Sequence, residues 1–259
     1  MLTFVGLGLY DERSITVAGQ ERLRDADRAF AEFYTSNLVG TTIPELEAHH
    51  GLDIEVRDRA GVEQDPDPIL DAAAEGDAVF LTAGDPMIST THVDLRLRAH
   101  DRGIETDVVH GTTAQTAASS LTGLQNYRFG KATTLPFERA HGGDGVPDSL
   151  VETVADNADR GLHTLVYLDI KAADGDYMTA DTAADLLATE YDDRLAVAVC
   201  QAGSPDPTVV ADDLAALADR DFGPPLHLLV LPGDLHLLER DALVELAGAP
   251  ETLVEARTI

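Results

Sequence analysis

Short apolar runs, each closed by a glycine or another turn-forming residue and followed by a longer stretch of helical periodicity, constrain what this 259-residue chain can fold into. Leu2–Val5 reads as a buried strand ending in Gly6-Leu7-Gly8, with the helical period of Val17–Ala26 after it. Ala78–Thr82 precedes the helix Val93–His100, and Thr106–Val109 precedes the small-residue helix Ala114–Leu121. This alternation predicts an α/β fold on a largely parallel sheet. A second series starts with the strand Leu162–Leu168 and the helix Thr179–Leu187. It continues through the strand Leu195–Val199, the helix Leu214–Ala218, the strand Leu226–Leu231 and the closing helix Leu235–Leu246. Between the two series, Pro136–Pro147 contains Gly142, Gly143 and Gly145 and reads as a mobile loop. The first sheet is complete near His110–Thr113, so two α/β domains are expected, 1–111 and 112–259.

Charge narrows the environment. Acidic residues number 47 and basic ones 18, a formal net charge of -29. Nucleic-acid binding would leave a basic footprint, and this chain has none. Only Lys131 and Lys171 are lysines, the other basic residues being arginines. Acid excess with scarce lysine fits a halophilic protein, because dense salt screens the carboxylate repulsion that would otherwise strain the fold. Cys200 is the only cysteine, which excludes an intrachain disulfide and makes a cysteine-ligated zinc site implausible. No secretory signal opens the chain and no apolar stretch approaches a membrane span, so a cytoplasmic protein is expected.

Six turn-forming clusters at strand ends are candidate ligand contacts. Gly6-Leu7-Gly8-Leu9-Tyr10 lets backbone approach a ligand or simply turns the chain. Asp11 stands where the dinucleotide fingerprint needs a third glycine, which argues against a nicotinamide-cofactor oxidoreductase. Gly84-Asp85-Pro86 sits at a strand's carboxyl end, where open α/β sheets bind ligands, and its stiff turn aims the Asp85 carboxylate at a fixed point. His110-Gly111-Thr112-Thr113-Ala114 leads from a strand into a helix, whose free amides suit a carboxylate or hydroxyl. Leu168-Asp169-Ile170-Lys171 and Ala202-Gly203-Ser204 follow strands, and Pro224-Pro225-Leu226-His227 enters one. Clusters spread over two α/β halves suit a ligand held between domains.

In this order the segments resemble the diphthine synthase family, a branch of the tetrapyrrole-methylase-like (class III) methyltransferases. The most specific are Phe4-Val5-Gly6-Leu7-Gly8-Leu9-Tyr10-Asp11-Glu12-Arg13 and Ala31-Glu32-Phe33-Tyr34-Thr35-Ser36. Leu81-Thr82-Ala83-Gly84-Asp85-Pro86 with Thr90-Thr91-His92, and Thr122-Gly123-Leu124 with Phe129-Gly130-Lys131, also match. Arg160–Leu165, Leu168–Lys171, Ala202-Gly203-Ser204 and Ala247-Gly248-Ala249-Pro250 complete a similarity that spans essentially the whole chain. Where the family often carries Ser-Ile this chain has Thr113-Ala114, and where it often has Ala-Arg-Ala this chain has Cys200-Gln201-Ala202.

The resemblance implies a tetrapyrrole-methylase-like fold of two α/β domains with the cofactor in the interdomain cleft, and a homodimer. It implies S-adenosyl-L-methionine as methyl donor and translation elongation factor 2 as protein substrate. The amino group of that factor's 3-amino-3-carboxypropyl-histidine would be trimethylated to diphthine, a step of diphthamide biosynthesis. Carried over by motif, the donor contacts are Leu9, Asp85, Ile88, Thr113, Ala114, Leu168, Ala202 and His227. No metal and no catalytic base are assigned. The amine must be neutral to offer a lone pair, it can lose its proton to water, and a quaternary nitrogen cannot react again. A methylase acting on a tetrapyrrole shares the fold and the Gly84-Asp85-Pro86 turn. A nucleotide-binding regulator without catalysis is a further alternative, since fold does not fix function.

Overall fold

The computed structural model describes residues 1–141 and 145–259, so Gly142 and Gly143 of the expected loop lie outside the described residues. The chain divides into two compact units, Met1–Thr113 with Ala172–Asp174, and Ala114–Lys171 with Gly175–Ile259.

The first unit runs β1 (Leu2–Gly6), α1 (Val17–Asp25), β2 (Arg28–Glu32), α2 (Ile43–His50), β3 (Ile54–Val56), α3 (Arg59–Glu63), α4 (Asp67–Glu75), β4 (Ala78–Thr82), α5 (Val93–Asp101) and β5 (Thr106–Val109). Its strands lie in the order β3-β2-β4-β1-β5, every pair parallel. β1 and β4 are buried along their whole length, as central parallel strands covered on both faces must be. Side chains alternate between two cores. Val5, Ala29, Ala31, Val79 and Leu81 meet Leu23 of α1 and Leu46 of α2. Leu2, Phe4, Phe30 and Phe80 meet Val62 of α3, Leu70 of α4 and Leu95 of α5. Local chemistry sets the helix ends. Thr16 caps α1 by accepting the Gly19 N–H, and α2 opens on Thr42, whose N–H donates to Glu45 at 2.8 Å, and closes on left-handed Gly51. The chain leaves β1 toward one side of the sheet and leaves β4 toward the other, so the strand order reverses between these neighbours.

The second unit runs α6 (Ala114–Thr122), β6 (Thr133–Leu135), α7 (Glu138–His141), α8 (Asp148–Ala158), β7 (Thr164–Leu168), β8 (Ile170–Lys171), β9 (Asp176–Tyr177), α9 (Ala180–Ala188), β10 (Leu195–Cys200), β11 (Thr208–Asp213), α10 (Leu214–Ala218), β12 (His227–Leu231), α11 (Leu237–Ala247) and α12 (Glu251–Glu255). Its main sheet has the order β11-β10-β12-β7-β6. Strand direction differs from that of the first sheet, because only β6 and β7 pair in parallel, while β12 runs antiparallel to both β10 and β7 and β11 antiparallel to β10. The cause is chain length. Residues 201–207 are too few for the crossover that a parallel neighbour requires, so β11 folds straight back beside β10. α8, α9 and α10 cover one face around Val166, Ala198 and Leu229. α6, α11 and α12 cover the other around Leu165, Val197 and Val230.

A buried polar network ties this second face together. His163 and Glu239 are both 0 % exposed. The Gly233 N–H donates to His163 Nδ1 at 3.0 Å, which leaves Nε2 as the proton-bearing nitrogen facing Glu239 Oε1, also at 3.0 Å. Glu239 accepts further N–H groups from Gln125 (2.9 Å) and His236 (3.0 Å). Burial alone would raise the Glu239 carboxyl, but these donors hold it below the usual carboxylate range. Among the described residues no helix is long and apolar enough to cross a membrane.

Candidate functional site

All strands of the first sheet point the same way, so the segments leaving β1, β4 and β5 emerge on one edge. There they touch backbone to backbone. The Gly8 N–H donates to Gly84 O (3.3 Å) and the Gly84 N–H to Gly8 O (2.6 Å). Both glycines hold left-handed backbone, φ 80° and 75°. A Cβ on Gly6 would lie 2.5 Å from Gly84 O and 2.6 Å from Gly111 N, and one on Gly111 would lie 2.1 Å from Gly84 O. Gly84 differs, because the nearest atom to a Cβ placed there is Thr112 O at 4.0 Å, which leaves open space beside its Cα.

Asp85 fastens this edge. Its Oδ1 accepts the Met87 N–H at 2.9 Å, and its Oδ2 accepts the Gly111 N–H at 3.2 Å and meets His110 Nδ1 at 2.8 Å. The fixed point at which the stiff turn aims the carboxylate is thus the exit of β5. Leu9 follows Gly8 and is half-buried, Ile88 is exposed just past the Asp85 turn, and Thr113 is half-buried two residues beyond Gly111. The first unit brings its four expected contacts to one edge.

In the second unit β12 runs against β7 and β10, so its first residues lie where those strands end. His227 pairs with Cys200, the Gln201 N–H donates to Leu226 O at 2.8 Å, and Ala202 follows in a turn opened by left-handed Gln201. Leu168 ends β7 with its side chain in the core, and Ala114, half-buried, begins α6. Leu168, Ala202 and His227 therefore share an edge. His227 is 4 % exposed. The Ala180 N–H donates to its Nδ1 at 3.1 Å, so its Nε2–H donates to Pro224 O at 2.9 Å. Burial pushes the ring's pKa down and keeps it neutral. With both nitrogens engaged, this residue has only backbone to offer a ligand. Asp169 accepts the Phe137 N–H at 3.0 Å and pairs with Lys171 at 3.2 Å. Burial pushes the Cys200 thiol up to about 12, so it stays protonated. Among the described residues no cluster of three His, Cys, Asp or Glu side chains suits a metal ion.

Sequence reasoning missed two features. The mutual approach of Gly6, Gly84 and Gly111 joins positions remote in the chain, and only their placement at strand ends hinted at it. A buried pair, Glu32 with His92, also went unnoticed, although an acidic residue closing the otherwise small and apolar run Ala29-Phe30-Ala31 was a visible signal.

The lowered pKa values of His163 and His227 set an acid limit. The main cause for both is burial, which disfavours the charged ring. An unfolded histidine protonates near pH ~6.5, so below that pH the unfolded chain binds more protons than the folded one. Stability should be complete above about pH 6.5 and fall as pH drops through the folded values. Denaturation midpoints at constant salt check this, and a His227→Gln variant should show a shallower acid slope.

Comparison with known proteins follows the same outline. Residues 1–218 match the family model of Tetrapyrrole (Corrin/Porphyrin) Methylases. The chain is 70% identical over 261 residues to a diphthine synthase of Natronomonas pharaonis, covering 97% of this chain and 98% of the relative. It is 71% identical over 256 residues to one of Halobacterium salinarum, covering 96% and 98%. A crystal structure of diphthine synthase superposes with a TM-score of 0.91 at 36% identity, over 98% of both chains.

Proposed function

Because the chain belongs to the diphthine synthase family of tetrapyrrole-type methylases, we propose that it uses S-adenosyl-L-methionine to trimethylate the 3-amino-3-carboxypropyl-histidine of translation elongation factor 2, giving diphthine. The chain is a methyltransferase by that membership. Donor binding is assigned to Leu9, Asp85, Ile88 and Thr113 of the first unit and to Ala114, Leu168, Ala202 and His227 of the second. The observation that carries this reading is the open space beside the Gly84 Cα at the meeting point of three strand exits. A small-residue cradle lined by peptide groups, with apolar Leu9 and Ile88 beside it, suits an adenosine-bearing ligand.

The bound donor supplies a methyl group on a positively charged sulfonium, already a good leaving group. The chain's residues bind and orient. Asp85 holds the exits of β4 and β5 in one arrangement, so proximity and alignment carry the rate. Neither Asp85 nor His227 is available as a base, since both are engaged by protein partners. The acceptor amine would lose its proton to water. A homodimer in the cytoplasm of a salt-rich cell is part of the same reading, the acid excess being matched to that solvent.

Mass spectrometry of elongation factor 2 carrying the precursor side chain, after incubation with protein and donor, tests the reaction. A gain of three methyl groups is expected. Methylation of a precorrin-type acceptor instead would assign the chain to the tetrapyrrole branch. Replacing Asp85 by alanine releases the Gly111 N–H and His110 from the β4 exit. Donor affinity should fall about tenfold or more, as expected for lost hydrogen bonds to a charged group. Calorimetric titration with the donor reads this, and unchanged affinity would remove Asp85 from the site.

A further inference from the structure

The Ala31–Ser36 and Thr90–His92 segments are among the most distinctive of the chain, yet neither contributes to the donor contacts assigned above. They meet inside the first unit. Glu32 ends β2 and Thr82 ends β4, and as register partners they lie side by side on the sheet face that carries Phe30 and Phe80. Glu32 is 0 % exposed and His92 1 %. One carboxylate oxygen of Glu32, Oε2, accepts the N–H groups of Tyr34 and Thr35, each at 3.0 Å. The other, Oε1, lies 3.4 Å from His92 Nε2. On the far side of the ring, His92 Nδ1 is 3.0 Å from Pro86 O. A carbonyl oxygen only accepts, so Nδ1 carries the proton there. The ring stands edge-on to Phe80, 5.1 Å between centroids, which fixes its plane. Polar groups therefore follow one another from the Tyr34-Thr35 backbone through Glu32 and His92 to the turn that carries Asp85, with no hydrogen bond across the 3.4 Å between Glu32 Oε1 and His92 Nε2.

The other buried histidine–glutamate pair provides a contrast. His163 and Glu239 meet at 3.0 Å, and their side-chain nitrogens and oxygens all have partners. Around the first pair, Glu32 Oε1, His92 Nε2, Thr82 Oγ1 and Tyr34 Oη are all buried without a hydrogen-bond partner among the described residues. Such atoms destabilise a fold, and several gathered in one place call for a reason other than stability.

We infer that Glu32 and His92 are positioning residues that set the Gly84-Asp85-Pro86 turn, through the Pro86 carbonyl, in the conformation that receives the methyl donor. This rests on the donor-binding reading above. The pair touches no donor itself. It fixes the backbone on which Asp85 and Gly84 stand, so its loss should appear in donor affinity more than in the chemical step.

The test compares wild type with Glu32→Gln, His92→Asn, the double variant, and Glu239→Gln as the structural control. S-adenosylmethionine and its demethylated product S-adenosylhomocysteine are titrated calorimetrically, and thermal midpoints, donor KM and kcat are measured in the same salt. Asparagine at position 92 keeps an N–H near Pro86 O and removes the group facing Glu32, which separates the relay from the local bond. Both single variants should bind both ligands about tenfold more weakly, with donor KM raised alike and kcat at saturating donor near wild type. The double variant should be no worse than the weaker single one, because both act through one turn. Glu239→Gln should lower the thermal midpoint and keep donor affinity within about twofold.

Folded single variants that bind like wild type would overturn the inference, as would an equal loss of affinity in Glu239→Gln. If Glu32→Gln does not fold, His92→Asn decides. If neither folds, the pair is structural and the inference is wrong. A wild-type protein that binds neither ligand would sink the donor-site reading instead.

Discussion

Replacing Gly111 by alanine is expected to weaken donor binding by about 100-fold. The new methyl group would stand 2.1 Å from Gly84 O and 2.9 Å from Gly6 Cα, and neither backbone atom can swing aside as a side chain would. The β4 and β5 exits must therefore separate, which also breaks the Gly111 N–H bond to Asp85. Overpacking of this kind costs about 1–3 kcal/mol even where side chains can give. Displacement of the cradle by that amount corresponds to a loss of about 100-fold in affinity. Circular dichroism should report a folded protein, since the contact lies at the end of the sheet, while calorimetry with the donor should give an affinity about 100-fold weaker. Gly51→Ala is the control. Unlike Gly111 it is left-handed, but nothing lies within 4 Å of its added Cβ, so it should cost about 1 kcal/mol of stability and leave donor affinity alone. Wild-type affinity in Gly111→Ala would mean that the three glycines do not form the cradle.

The largest loss of stability is expected from Glu239→Ala. It strips partners from His163 Nε2 and from the Gln125 and His236 N–H groups at once. Removing one member of a buried charged network costs about 3–5 kcal/mol, because the others stay desolvated and unpaired. That approaches the whole stability of many domains. Chemical denaturation at high salt checks it, and a change under about 1 kcal/mol would mean that water reaches the vacated carboxylate position.

In the first unit β1, α1, β4, α5 and β5 were legible in the sequence, while β2, α2, β3, α3 and α4 were not. β4 and β5 have the expected bounds, and β1 and α5 differ from expectation by one residue, because continuous apolar runs and helical periods read directly. β2 escaped notice because Arg28 and Glu32 frame two alanines around a single phenylalanine, too little apolar signal for a strand. α8 went unread for a related reason, since Leu150 and Val154 are separated by polar residues and preceded by a glycine-rich stretch. Strand direction in the second sheet was beyond pattern reading. Periodicity says that Leu195–Val199 and Leu226–Leu231 are strands, but only connection length and pairing say which way they run. At the strand ends of the candidate site, placement on the sheet edge was legible and side-chain partnership was not. Glycines and turn residues marked the strand ends, whereas the partners of Asp85 and His227 come from residues remote in the chain, and no local pattern announces them.

The reciprocal hydrogen bonds between Gly8 and Gly84 carry a mechanical consequence. Two excursions of the backbone that are far apart in sequence are clasped into one rigid body, and neither can swing open while the other stays shut. A change of stiffness between Tyr10 and Ser14 should therefore be passed through these two bonds to the Gly84-Asp85-Pro86 turn.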